Sequence, residues 1–100
     1  MSETYTLGIW LTKPGLEQTF KDAWSEFARA TSKQCEGAIS AVLLEDAANP
    51  RRFISSGPWR SEADIAAWRA SALFAENVAR IKPMLESFEP GMFTPVCKIE

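Results

Sequence analysis

Residues 59–78, WRSEADIAAWRASALFAENV, decide the fold because they contain the plainest helix start in the chain and two of its four tryptophans. Ser61 followed by Asp64 has the serine-x-x-acid spacing of an N-cap, in which the hydroxyl accepts a hydrogen bond from an exposed backbone N–H. Ile65 and Trp68 follow three residues apart and therefore share one face of a helix. We predict a helix from about Ser61 whose apolar face packs on another apolar surface.

Upstream of this helix the chain shows three further segments with clear periodicity. Residues 4–12 alternate as a strand does, and residues 16–33 repeat apolar side chains every three or four positions, as in an amphipathic helix. Residues 38–45 are apolar on both faces, which is typical of a strand that is covered from both sides. Residues 51–59 follow a turn and are predicted to pair with that strand in a hairpin.

Downstream, Ser71 stands where it can cap a continuation or a fresh helix, and Pro83 is expected to break that helix. We predict a short helical turn over residues 84–88 and a last strand over residues 92–99. The order β-α-β-β-α-β is the ferredoxin-like pattern, an α+β fold in which both helices cover one face of an antiparallel sheet. Residues 1–100 are expected to form one domain, since the length suits a single modest core.

The other face of this sheet has no helix left to cover it. Residues 38–44 are apolar on both sides, and Trp10 lies on the strand face opposite Leu7 and Ile9. A second copy of the chain, packed sheet on sheet, is the economical cover, so we predict a symmetric homodimer with Trp10 at its interface. Trp24 is assigned to the core, on the apolar stripe of the first helix.

Composition excludes several classes of function. With 46% hydrophobic and 24% charged residues, the chain has the composition of a folded soluble protein. The net charge of -2 and the scattered basic residues do not favour nucleic acid as a partner. No apolar stretch is long enough to span a bilayer and no leader-like start is present, so we expect a cytoplasmic protein with no membrane partner. Cys35 and Cys97, far apart in sequence, are expected to be free thiols.

The chain contains no histidine. This absence excludes Ser-His-Asp and Cys-His catalysis, the H-E-x-x-H zinc site and a proximal-histidine haem. No metal site is predicted, and any chemistry must use other groups.

Three short segments carry a resemblance to a known family. They are residues 13–15 (KPG), residues 49–53 (NPRRF) and above all residues 59–63 (WRSEA), which lead through Trp68 to Phe74. With these segments in the order described, the chain resembles the antibiotic biosynthesis monooxygenase-like superfamily of dimeric α/β barrels. The resemblance covers nearly the whole chain and implies a pocket between the sheet and the helices.

The resemblance also implies a chemistry. Several members oxidise quinol- or anthrone-like aromatic substrates with molecular oxygen and use no metal or flavin, so we expect no cofactor and a small aromatic or apolar ligand. Many members have histidine where this chain has Trp68, so no general base is identified. The candidate substrate-binding residues are Trp68, which would shape the pocket, Arg69 and Asn77, which would orient the substrate, and the aromatic residues Trp59 and Phe74. Strand polar groups that could also line the pocket are Tyr5, Thr6, Ser40 and Ser55.

Other interpretations remain open at this stage. One is a non-catalytic dimeric module that holds a small ligand in the same pocket, and another is a purely structural dimerising domain. A haem-degrading branch of the superfamily also resembles the segment around Trp68, but its iron-ligating histidine would fall at Val78. Haem degradation therefore ranks below the monooxygenase.

Overall fold

The computed structural model describes residues 3–100 and contains a four-stranded antiparallel sheet in the order β2-β3-β1-β4. In chain order the elements are β1 (Thr4–Thr12), α1 (Glu17–Gln34), β2 (Val42–Asp46), β3 (Asn49–Trp59), α2 (Glu62–Arg69), α3 (Ala72–Ile81), a 3-10 turn (Lys82–Met84) and β4 (Leu85–Phe93). The predicted ferredoxin-like α+β fold is confirmed. The predicted second helix is split into α2 and α3.

Two serine caps explain this split. The Ser61 hydroxyl accepts a hydrogen bond from the Asp64 backbone N–H at 3.2 Å, as predicted, and donates one to the Asp64 carboxylate at 2.7 Å. The Ser71 hydroxyl accepts from the Phe74 N–H at 3.2 Å and donates to the Trp68 carbonyl at 2.6 Å. Ser71 therefore ends one helix and starts the next with the same hydroxyl.

The last strand lies earlier in the chain than predicted. β4 is Leu85–Phe93, so the prediction of a helical turn over residues 84–88 is wrong, as is that of a strand over residues 92–99. β4 contains Pro90, which is tolerated there because β4 is an outer strand of the sheet. Residues 94–100 contain no helix or strand.

The face of β1 that meets the helices is the one that carries Trp10. Trp10 is 5% exposed, its ring stacks on Phe88 with centroids 4.0 Å apart, and it also contacts Phe20 of α1. The prediction that Trp10 lies at a dimer interface is therefore wrong. Gly8, on the same face, helps to explain why this face meets the helices. A Cβ at Gly8 would lie 2.9 Å from the Trp10 indole nitrogen and 3.1 Å from the Phe88 ring, so glycine leaves room for both rings.

The core is formed where α1 crosses the sheet. Phe20, Ala23 and Phe27 of α1 are buried against Phe53 of β3, and Ile81 at the end of α3 completes the cluster. Burial of each large side chain contributes about 1.5–3 kcal/mol to folding. This packing holds α1 on the sheet. The candidate functional site lies beside the core, between the helices and the sheet.

β2 is shorter than predicted. Regular pairing begins at Val42 instead of residue 38, and residues 38–41 run beside β3 with few ladder hydrogen bonds. The Ser40 carbonyl crosses directly over Gly57, where a Cβ would come within 2.2 Å of it. Glycine at this position therefore allows the connection to approach β3. Within residues 3–100, no helix combines the length and apolar character needed to cross a membrane.

Candidate functional site

A cavity of about 300 Å³ lies between the helices and the sheet. Side chains from β1, β3, β4 and all three α-helices line it, together with residues 38–41. Its walls are mainly apolar and include all four tryptophans of the chain. The aromatic lining residues are Trp10, Trp24, Trp59, Trp68, Phe27, Phe74 and Phe88.

Trp68 is the centre of the aromatic wall. Its ring lies 4.9 Å from that of Trp59, 4.8 Å from Phe74 in an edge-on arrangement, and 5.6 Å from Phe27, nearly parallel to it. Such offset and edge-on pairs add about 0.5–1.5 kcal/mol each beyond the area they bury. Trp59, Trp68 and Phe74 thus form one connected wall, and the cavity beside them remains open.

Hydroxyl groups accept hydrogen bonds from two of the indole N–H groups around the cavity. Trp68 Nε1 donates to Thr31 Oγ1 of α1 at 3.0 Å, and Trp10 Nε1 donates to Ser55 Oγ of β3 at 2.9 Å. A hydroxyl that accepts from an indole still has its own proton to donate. Within residues 3–100 no hydrogen bond uses the hydroxyl protons of Ser55 or Thr31. The cavity is therefore supplied with O–H donors.

The remaining polar lining consists of more hydroxyls and two guanidinium groups. Six hydroxyl residues line the cavity: Thr6, Thr31, Ser32, Ser40, Ser55 and Ser56. Arg29 of α1 and Arg69 at the end of α2 are the charged lining residues, and no carboxylate of the described chain is among them. Arg69 is half-buried and donates a hydrogen bond to the Gly91 carbonyl of β4 at 3.3 Å.

The groups with perturbed acidity lie outside this lining. A hydrogen bond from Arg60, with a second from Ser61, lowers the pKa of the Asp64 carboxyl below its usual value. A backbone hydrogen bond from Ala48 is the main cause of the lowered pKa of Asp46. Burial, with the nearby charge of Asp64, raises the pKa of the Cys35 thiol. The described lining thus contains no carboxylate, thiol or amine to act as a proton acceptor.

Four of the five residues predicted to bind substrate meet at this cavity. Trp59, Trp68, Arg69 and Phe74 all line it. Asn77 does not: its amide nitrogen donates to the Leu73 carbonyl at 2.8 Å, and its amide oxygen accepts from Arg80 at 2.9 Å. Of the predicted strand groups, Thr6, Ser40 and Ser55 line the cavity and Tyr5 does not.

Sequence reasoning missed several lining residues. Trp10 was assigned to an interface but lines the cavity. Trp24 packs against the core, as predicted, and lines the cavity as well. Arg29 is an exposed position of α1, which gave no signal in the sequence that it lines the cavity. Thr31 carried the one available signal, because a threonine that continues an apolar stripe is buried and needs a hydrogen-bond partner. Residues 3–100 contain no cluster of three or more His, Cys, Asp or Glu side chains suited to a metal ion.

The structure is a ferredoxin-like sheet with an aromatic cavity under its helices. Comparison with known proteins identifies the family to which the chain belongs. The family profile of antibiotic biosynthesis monooxygenases matches residues 9–80, and the chain belongs to that family. No curated protein matches it in sequence.

Several solved structures share this fold. SnoaB, a cofactor-independent oxygenase from Streptomyces nogalater, superposes with a TM-score of 0.88 at 17% identity, over 99% of this chain and 98% of that one. A candidate antibiotic biosynthesis monooxygenase from Bordetella bronchiseptica gives 0.85 at 18% identity, over 97% and 100%. One from Nitrosomonas europaea gives 0.84 at 17% identity, over 96% and 93%. At these identities the likeness concerns the fold.

Proposed function

We propose that the protein is a cofactor-independent monooxygenase of flat, electron-rich aromatic molecules of the quinol or anthrone type. The observation that carries the proposal is that all four tryptophans of a chain in this family line one open cavity. Indole and phenyl walls favour a planar aromatic ligand, because ring stacking adds to the burial of apolar surface. The cofactor-independent chemistry of SnoaB, which shares the fold, supports the same assignment.

The lining groups suit a substrate that is acidic enough to lose a proton without a base from the protein. With no proton acceptor in the cavity, the substrate itself must lose a proton to water to form its anion. The hydroxyl protons of Ser55 and Thr31 would then stabilise the charge on the substrate oxygen by hydrogen bonding, and Arg69 would orient the substrate. The fixed partners of these hydroxyls, the two indole N–H groups, keep them in place before the charge develops.

The reaction balances without an external reductant. The substrate anion gives one electron to O2, and the resulting radical pair combines to form a carbon–oxygen bond and then a hydroperoxide. Loss of water from the hydroperoxide leaves a new carbonyl on the ring. Both electrons that reduce the second oxygen atom to water come from the substrate, so one oxygen atom enters the product and the other leaves as water.

The second candidate is a non-catalytic module that holds an aromatic ligand. The absence of any lining group that changes protonation near neutral pH favours it, since enzymes that move protons usually position such a group. Haem degradation has less support, because Val78, which lines the cavity, cannot ligate iron.

We also propose that two copies associate through the uncovered face of the sheet, as members of the family typically do. That face carries Leu7 and Ile9 of β1 and Ile54 of β3, and at its edges Leu44 and Phe93 are 53% and 54% exposed. Light scattering at micromolar concentration should give the dimer mass. Leu44→Lys should shift it toward the monomer, and a monomer mass for the unmodified chain would refute the association.

Oxygen uptake by purified, chelator-treated protein tests the function. Naphthohydroquinones and anthrones should be oxidised above the buffer rate, and Trp68→Ala should reduce that rate by about ten-fold or more because it removes the centre of the aromatic wall. Leu73→Ala is the matched control, since Leu73 packs against the core without lining the cavity. Absence of uptake across the panel would reject the oxygenase, and equal uptake in Trp68→Ala and the control would reject this cavity as its site.

A further inference from the structure

The arginines of this chain divide into two groups by their partners. Four of the six form ion pairs with carboxylates at 3.0–3.6 Å: Arg51 with Glu86, Arg52 with Asp46, Arg60 with Asp64 and Arg80 with Glu26. Within residues 3–100, Arg29 and Arg69 have no carboxylate within ion-pair distance. These two arginines are also the two that line the cavity.

Of these two arginines, Arg69 is the more buried and therefore has the greater need of a charged partner. Its side chain is half-buried at the end of α2, and one N–H donates to the Gly91 carbonyl at 3.3 Å. A guanidinium has five N–H donors, and its removal from water costs free energy unless an anion or several acceptors take them up. The described lining offers hydroxyls and aromatic rings but no carboxylate. An anion supplied from outside the chain would fill this role.

Arg29 contributes a second positive charge from a different helix. It projects from the exposed side of α1, and its side chain reaches the same cavity. Two guanidinium groups disfavour a cationic ligand, although tryptophan walls alone would accommodate one by cation–π contacts. Aromatic walls with positive charge at their border fit a flat aromatic anion.

We infer that the ligand of this cavity is an aromatic carboxylate, whose ring system lies among the tryptophans and whose carboxylate is bound by Arg69, with Arg29 adding attraction. The planar guanidinium fork matches the two oxygens of a carboxylate. A cavity of about 300 Å³ is at the small end for ligand sites and suits a ring system of about two or three fused rings. The inference rests on the proposed function only in placing the ligand in this cavity.

Calorimetric titration with two redox-inert probes tests the carboxylate. Naphthalene-2-carboxylate and naphthalene-2-carboxamide have nearly the same shape, and the first carries the charge. The carboxylate should bind at least about ten-fold more tightly, because loss of a charged partner at a partly desolvated arginine usually costs that much or more.

Variants assign this preference to the arginines. Arg69→Gln should reduce the carboxylate affinity by about ten-fold and leave the carboxamide affinity within about two-fold, and Arg29→Gln combined with it should remove the preference. Lys33→Gln is the matched control, because it removes the same charge from the exposed surface of α1 one turn beyond Arg29 and does not line the cavity. It should retain the preference.

Equal affinity for the two probes, no binding of either, or a preference that survives in the double variant would each overturn the inference. Oxygen uptake with 1,4-dihydroxynaphthalene-2-carboxylate and its carboxamide separates this result from the fate of the proposed function. Tight carboxylate binding without uptake would reject the oxygenase and keep the ligand class. Equal uptake with both compounds would keep the oxygenase and reject the ligand class.

Discussion

Thr31→Val tests whether the hydrogen bond between α1 and Trp68 holds the aromatic wall in place. Thr31 is 7% exposed, and its Oγ1 accepts from Trp68 Nε1 at 3.0 Å. Valine has nearly the same shape and a similar helix propensity, so the substitution removes the acceptor and little else. A partly buried N–H left without a partner costs about 1–3 kcal/mol, and we expect the free energy of unfolding to fall by that amount.

Urea denaturation followed by far-UV circular dichroism measures this change. For a domain of this size each 1 kcal/mol corresponds to about 4–8 °C in Tm, so a thermal melt gives an independent value. The decisive comparison is a double-mutant cycle with Trp68→Phe, which removes the donor. Once the indole N–H is absent, Thr31→Val should cost less than about 0.5 kcal/mol.

Two results would refute this reasoning. One is an equal cost of Thr31→Val in the unmodified chain and in the Trp68→Phe variant, which would show that the two side chains are not coupled. The other is a negligible cost in the unmodified chain. Thr31→Ser serves as the control that keeps the hydroxyl, and it should lose only the contribution of one buried methyl group, about 0.8 kcal/mol.

Two further predictions concern the connection before β2 and the start of α2. Gly57→Ala should lower the free energy of unfolding by about 2 kcal/mol or more, because its Cβ would collide with the Ser40 carbonyl, and unchanged urea midpoints would contradict this. Asp64, whose pKa is lowered by Arg60 and Ser61, stabilises the fold above its unfolded pKa of about 3.9, and this contribution is lost as pH falls through the lower folded pKa. Asp64→Asn should therefore be less stable at pH 6, and the difference from the unmodified chain should shrink toward pH 2; a constant difference would contradict the assignment.

Much of the fold could be predicted from local pattern. The Ser61 cap and the stripe of α1 fixed two helix starts to within a residue, since both depend on contacts inside one element. The orientation of β1 was harder to predict, because alternation identifies two faces of a strand and does not say which one meets the helices. Gly8 decided the matter by making room for the Trp10 and Phe88 rings, and Phe88 lies near the other end of the chain.

The candidate site could be predicted only in part, because local pattern identifies residues of one segment and not those that tertiary packing brings to it. Trp59, Trp68 and Phe74 belong to one continuous segment with a recognisable family pattern. Trp10 and Trp24 come from other elements, and their arrival at the cavity depends on tertiary packing. Arg29 and Arg69 became informative only when every other arginine was found beside a carboxylate, which no local pattern reveals.

The placement of all four tryptophans around one cavity means that the protein's intrinsic fluorescence reports on a single region. Far-UV circular dichroism, in contrast, follows the backbone of every helix and strand. The two signals therefore separate opening of the cavity from loss of the fold in one unfolding experiment. Transitions that coincide would indicate that the aromatic walls and the sheet form one cooperative unit, whereas an earlier change in fluorescence would give the free energy for opening the cavity itself.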